Sequence, residues 1–233
     1  IREQMTAAQS HAAEERATST GATHALVVSR RRDQSESLAT EFPIVPDWLS
    51  YCIGQVMDEN DILINETVTN SGSVIANIPR TKPGTMYGSG GSSLDWALGA
   101  AFGARLAAPD SNVVCAVGDG AFVYGCSTSS IWAAQKYNAP FLTVIYNNQI
   151  HNAPRVSLLG GYSEGVSERT SNWVGMEIYP SPDYAKLAES CGAYGEKVED
   201  PSEVIPALKR AYDALANGQP AVLDVRIARP ATS

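Results

Sequence analysis

The chain has few of the residues that announce a metal finger or a nucleic-acid surface. Its four cysteines, Cys52, Cys115, Cys126 and Cys191, form no CxxC pair and no metal-finger spacing. Cys115 falls in an apolar run, where cysteine acts as a small hydrophobe, and a reducing cytoplasm fits. Charged residues make up only 18% of the 233, with 17 basic against 25 acidic, for a net charge of −8. Arg30-Arg31-Arg32 is the one basic cluster and reads as a solvated linker, so a broad basic face for nucleic acid is excluded. No apolar run approaches the roughly 18 residues of a membrane span. Ile1-Arg2-Glu3-Gln4 lacks the apolar core of a secretory signal, and the missing initiator methionine reads as a fragment, a processed product or a renumbered chain. His11 and His24 have no acidic or cysteine constellation around them and read as solvated.

What is present suffices for one substantial domain and an appendage. Residues 1–18 are rich in helix formers but have a thin apolar face. Ser19–Thr23 reads as a break, Ala25–Ser29 as a short extended piece, and Arg30–Glu41 as a polar linker. The domain begins near Phe42. A helix follows Pro46-Asp47, a strand covers Asp61–Asn65, and the polar run Glu66–Asn70 stands just past its carboxyl end. Pro79–Gly91 reads as a loop and Leu94–Ala107 as a helix dense in small residues. Gly88-Ser89-Gly90-Gly91-Ser92-Ser93 is not a dinucleotide fingerprint, because the third glycine position is Ser93 and no strand immediately precedes it.

The central stretch is Val113–Asn148. Val113–Val117 reads as a buried strand that stops at Gly118-Asp119-Gly120, and Phe141–Tyr146 as a second strand that stops at Asn147-Asn148. An acid and an amide thus follow two strand ends, the edge at which open α/β sheets bind ligands. One carboxylate and one amide oxygen, on backbone tight enough to need glycine, suit magnesium, which fills its shell with waters and substrate phosphates. Gln149–Pro182 reads as a long irregular segment, either a lid or a structural wrap. Asp183–Ser190 reads as a short helix, Ala193–Val198 as a strand, Asp200–Ala216 as a helix and Ala221–Ile227 as the closing strand. Strands alternating with helices predict an α/β fold: a mainly parallel sheet with helices on both faces and an N-terminal helical and linker appendage.

GDG followed after a spacer by NN resembles the signature of thiamine diphosphate enzymes. Asp119 and Asn148 lie 29 positions apart, slightly long for the decarboxylase members, with the extra length around Tyr124–Ser127. Glu66-Thr67, GGSSLDWALGAAFGA, GDG, NN and DYAKLAESCGAYG together resemble the acetolactate synthase and benzoylformate decarboxylase group over about Phe42–Arg229. The resemblance implies a thiamine diphosphate-binding fold over residues 42–233, with residues 1–41 as the end of a preceding central domain plus a linker.

It further implies Mg2+ held by Asp119, Asn148 and the backbone carbonyl of Ile150, and diphosphate held near Gly118, Gly120 and Ala121, with Thr69 as a weaker hydroxyl candidate. Leu94 would prop the cofactor in its bent shape. Gly91 and Ser92 would lie against it, with the Ser92 carbonyl accepting from its amino group, and His151 would touch diphosphate or substrate. The reaction implied is decarboxylation of a 2-oxo acid, or carboligation with an aldehyde or second carbonyl. A pyrimidine-binding domain with an essential glutamate, on a missing region or a partner subunit, would complete the site in a dimer or tetramer. Whether FAD sits on a preceding domain stays open, and nothing here indicates it. The competing reading is a non-catalytic cofactor-binding or regulatory module of the same fold.

Overall fold

Six strands form one sheet: β1 (Ile62–Glu66), β2 (Met86–Gly88), β3 (Val113–Gly118), β4 (Leu142–Asn147), β5 (Tyr194–Val198) and β6 (Ala221–Arg226). Their spatial order is β2-β1-β3-β4-β6-β5, and every neighbouring pair is parallel. The computed structural model describes residues 4–91 and 93–229. The sheet is α/β and covered on both faces, as the alternation of apolar runs and helices predicts.

Successive side chains of a strand point to opposite faces. Val114 and Ala116 therefore join Leu142, Val144, Leu223 and Val225 on one face. There they pack under α2 (Pro46–Val56), α3 (Ser71–Asn77) and α10 (Val204–Ala216). Val113, Cys115 and Val117 join Ile64, Ile145 and Val222 on the other. That face is covered by α4 (Ala97–Ala107), α6 (Ser127–Lys136) and α9 (Tyr184–Ser190). α10 shows why it lies on the sheet: Val204, Ala207, Leu208, Ala211 and Leu215 recur at helical spacing and all are buried. Fully burying a Val or Leu side chain contributes about 1.5–3 kcal/mol, so this stripe alone anchors the helix.

Several local expectations are corrected. Residues Ala7–Ser37 form one continuous helix, α1, with no break at Ser19–Thr23, no extended piece over Ala25–Ser29 and no linker before Ser37. Its Thr6–Gln9 capping box fixes the start. Thr18 and Thr23 donate their hydroxyls to the carbonyls of Glu14 and Ser19 one turn back, so both side chains are satisfied within the helix. Its far end is docked, with the Ser35 hydroxyl donating to Asn77 Oδ1 and the Tyr51 hydroxyl to Glu36.

The segment Gln149–Pro182 holds two helices, α7 (Asn152–Gly161) and α8 (Val166–Thr170). Pro154 sits in the first turn of α7, where its missing N–H costs nothing. The loop Pro79–Gly91 contains β2, which pairs with β1 through Leu63 and Met86.

The helix expected from Leu94 starts only at Ala97. Asp95 has φ 76, in the left-handed region, so the helix cannot begin before Trp96. The helical stretch after Asp119 is divided into α5 (Asp119–Tyr124) and α6, with the break at Gly125-Cys126. That break falls in the stretch of extra length and docks on Asp95, whose Oδ1 accepts the Cys126 N–H at 2.9 Å. No helix among the described residues is long and apolar enough to cross a membrane.

Candidate cofactor and metal site

Three strand ends open into one cleft. After β1 come Thr67 and a 3-10 turn, Val68–Asn70; after β3 comes α5; after β4 come Asn148 and the start of α7. Residues from all three segments form the wall. The chain leaves β1 toward β2 on one side and resumes at β3 on the other. The cleft therefore lies at a topological switch point, where the connections diverge and leave a crevice for ligands.

Asp119 is 2% exposed. Its Oδ1 accepts the Gly120 N–H at 3.0 Å and its Oδ2 the Gln149 N–H at 2.7 Å. Burial pushes its carboxyl up to about 6; the two N–H groups and Arg226 oppose the rise, while Asp224 adds to it. No ion pair among the described residues includes Asp119. Asn148 is 4% exposed, and its Oδ1 accepts the Ile150 N–H at 3.0 Å. Each of these side-chain oxygens has one backbone partner and a lone pair left over.

The turn between them is held from outside. Ile150 bridges to Glu177, the His151 N–H donates to the Met176 carbonyl at 2.8 Å, and the Ile178 N–H donates to the Gln149 carbonyl at 2.9 Å. Gln149 itself takes φ 61. The cleft thus offers a buried carboxylate in no ion pair among the described residues, a buried amide oxygen and adjacent main-chain carbonyls. These hard oxygen donors fit magnesium. Among the described residues no cluster of three or more His, Cys, Asp or Glu offers a competing metal site.

Only one glycine of GDG is required by contact. A Cβ on Gly120 would lie 2.5 Å from His151 Nδ1. A Cβ on Gly118 would lie 3.9 Å from the Thr67 carbonyl, an ordinary contact, and its φ of −75 suits any residue. The expectation that this backbone is tight enough to need glycine therefore holds at Gly120 and not at Gly118.

Of the residues singled out from sequence, Thr69, Leu94, Gly118, Asp119, Gly120, Ala121, Asn148, Ile150 and His151 all line this cleft. Gly91 is exposed and is not in the wall. Ser92 lies outside the described residues. Tyr146, Asn152, Ala153 and Pro154 also line it; their one sequence signal is their nearness to Asn147-Asn148. Val68, a β-branched residue at φ 49, is a strained member of the wall. A wider, mainly apolar cavity adjoins the cleft and shares Val68, Leu94, Ala153 and Pro154 with it. Leu94 therefore stands at the boundary of a polar space and an apolar one.

Glu66 lies on the same strand edge but has another task. Its carboxylate accepts the N–H groups of Ala97, at 2.9 Å, and Trp96, at 3.3 Å, and so caps α4. Burial raises its pKa, and those two N–H groups oppose the rise.

Residues 67–225 match the sequence profile described as thiamine pyrophosphate enzyme, C-terminal TPP binding domain. A probable acetolactate synthase large subunit of Methanococcus aeolicus is 29% identical over 193 residues, covering 80% of this chain and 30% of its own length. A benzoylformate decarboxylase of Pseudomonas aeruginosa is 26% identical over 183 residues, covering 78% of this chain and 32% of its own. Among solved structures, a thiamine diphosphate-dependent 4-hydroxybenzoylformate decarboxylase of Rhodococcus jostii RHA1 is similar with a TM-score of 0.71 and 26% identity. It covers 82% of this chain and 34% of that one. The chain spans about a third of the length of the relatives it matches. With a parallel sheet, an acid and an amide at adjoining strand ends and a profile match across most of the domain, this chain belongs to the thiamine pyrophosphate enzymes, as their C-terminal TPP binding domain.

Proposed function

We propose that Asp119 Oδ, Asn148 Oδ1 and the Ile150 carbonyl hold Mg2+, and that the cation tethers the diphosphate of thiamine diphosphate in the cleft. The observation that carries this reading is the convergence of Asp119, Gly120, Asn148 and Ile150 on one crevice, with the buried Asp119 carboxyl in no ion pair among the described residues. The Ala121 N–H at the start of α5 meets the phosphate oxygens, joined by the Gly120 N–H once it leaves Asp119 Oδ1, and the Thr69 hydroxyl is a further donor from the cleft wall. Gly118, the last residue of β3, lines the cleft beside them. Leu94, at the border of the polar cleft and the apolar cavity, supports the cofactor's bend, and the Gly91–Ser92 backbone approaches its pyrimidine, with the Ser92 carbonyl accepting from the amino group. His151 packs on Gly120 and presents its ring at the cleft mouth toward diphosphate or substrate.

Thiamine diphosphate, when bound, supplies the electron sink that lets the bond beside the carbonyl of a 2-oxo acid break or form. The chain's residues position it, orient it and limit water. The reaction is decarboxylation of a small 2-oxo acid, or carboligation to an aldehyde or second carbonyl. A pyrimidine-binding domain, on another region of the protein or on a partner subunit, completes the site in a dimer or tetramer in the cytoplasm. Residues 1–41 lead in from a preceding domain, and residues 42–233 are the cofactor domain. Glu66 cannot serve as the pyrimidine's proton donor while it caps α4.

The test is reconstitution. The isolated chain should bind magnesium thiamine diphosphate in calorimetry and show no turnover. Adding a pyrimidine-binding domain should restore turnover of pyruvate or benzoylformate, and chiral product analysis then separates decarboxylation from carboligation. Turnover by the isolated chain would refute the need for a second domain; binding that is indifferent to Asp119→Ala would refute the site.

A further inference from the structure

One acid in the middle of the sheet has neither an ionic partner nor a place in the cleft wall. Asp224, on β6, is 2% exposed, is in no ion pair among the described residues and does not line the cleft. Its neighbours on the strand, Leu223 and Val225, belong to the core. An apolar residue at this position would avoid the desolvation that a buried carboxylate suffers. What the acid holds therefore has to explain it. Its Oδ1 accepts Asn147 Nδ2 at 2.8 Å.

Asn147 is the last residue of β4 and is itself 2% exposed. β4 and β6 run parallel with Ile145 beside Asp224, so Ile145, Asn147 and Asp224 share one face of the sheet. Tyr146 and Asn148, on either side of Asn147, line the cleft, and Asn147 does not. An ionised carboxylate can only accept, so the amide presents Nδ2 to it. The other end of the amide is held weakly. The Ser181 hydroxyl stands 3.5 Å from Asn147 Oδ1 and has a closer acceptor in the Ile178 carbonyl, at 3.0 Å. Asp224 is thus the main hold on this side chain.

Asn148 lies between two anchored neighbours. Asn147 is fixed by Asp224 from β6, and Gln149 by Asp119 after β3. An amide oxygen placed by both flanking residues meets a cation already oriented, and groups behind a metal ligand tune its affinity in this way. Building on the cofactor site proposed above, we infer that Asp224 is a positioning residue for that site. Through Asn147 it sets where Asn148 enters the cleft, and it touches neither cation nor phosphate itself.

The experiment titrates magnesium pyrophosphate by calorimetry into the wild-type chain and into Asp224→Ala, Asp224→Asn and Asn147→Ala, each below its own melting temperature, which is measured in parallel. Pyrophosphate is the probe because all of its proposed contacts come from this chain. Asp224→Ala and Asn147→Ala should each weaken binding roughly tenfold or more, the range for groups that support a metal ligand. The double variant should bind no more weakly than the weaker single, because both remove the same bond. Asp224→Asn loses the charge but keeps an oxygen for Asn147 Nδ2, and should bind nearly as wild type does. Alanine variants that melt lower yet bind like wild type would make the pair a fold contact only and overturn the inference. Asp224→Asn binding as weakly as Asn147→Ala would assign the effect to lost charge and overturn it too; this comparison stands even where Asp224→Ala does not fold. Either result leaves the cofactor site intact. A wild-type chain that binds no magnesium pyrophosphate would overturn the site itself, and the inference with it.

Discussion

Asp119 Oδ2 accepts the backbone N–H of Gln149 at 2.7 Å, so the acid after β3 is tied to the turn after β4. Asn148 is the residue before Gln149, and one hydrogen bond thereby fixes the acid beside the amide. Two groups 29 positions apart in sequence share a cleft because of it.

Removing either oxygen donor should cost most of the affinity for magnesium thiamine diphosphate. Asp119→Ala or Asn148→Ala is expected to weaken binding by about a hundredfold or more, since loss of groups that only support a metal ligand already costs 10–100-fold. Calorimetry checks this, and Asp119→Ala should be the worse because it also removes the only charge among the proposed ligands.

The pH dependence follows from Asp119. Its carboxyl rises from 3.8 to about 6 in the folded chain. A folded value above the unfolded one means that the folded state favours the proton. The contribution of this group to stability is therefore fully present below about pH 4 and lost as pH rises through 6. A cation reverses this by binding the ionised form. Magnesium pyrophosphate should raise the melting temperature strongly at pH 7.5 and little at pH 5. Asp119→Asn should show a smaller difference between the two pH values, the remainder coming from protonation of pyrophosphate itself, whose phosphate groups titrate at about pH 6.

Gly120→Ala should drive a methyl group into the His151 ring, since the added Cβ lies 2.5 Å from Nδ1. The expected loss is about 1–3 kcal/mol, the usual range for overpacking. Gly118→Ala, with 3.9 Å to its nearest neighbour, should be close to neutral. The double variant Gly120→Ala with His151→Ala should recover most of the loss. Urea unfolding of all four chains provides the measurement.

Glu66→Ala should destabilise the chain by about 1–2 kcal/mol, because the Ala97 and Trp96 N–H groups at the start of α4 lose their acceptor. Glu66→Gln retains one acceptor oxygen and should lose less. Denaturant midpoints settle the order of the two.

The strands and the acid–amide pair were legible before folding. Val113–Val117 is a continuous apolar run because β3 is buried on both faces, and the turn residues Gly118-Asp119-Gly120 mark where it ends. Other elements were hidden. β2 is three residues of largely exposed backbone within a loop-like stretch, and only its pairing with β1 makes it a strand. α1 looked interrupted because Ser, Thr and Gly are weak helix formers, yet the Thr18 and Thr23 hydroxyls bond within the helix and its end is held by Asn77.

Composition and pattern were thus enough to establish a parallel α/β sheet and to name Asp119 and Asn148, because burial and turn chemistry act over a few neighbouring residues. The partners of those groups depended on distant segments meeting. Glu66 caps a helix 30 residues away, His151 fills the space that Gly120 leaves open, and the Asn152 Oδ1 is buried with no hydrogen-bond partner among the described residues. No local propensity encodes such meetings, since they arise only when strand order and helix packing bring remote side chains within hydrogen-bond reach.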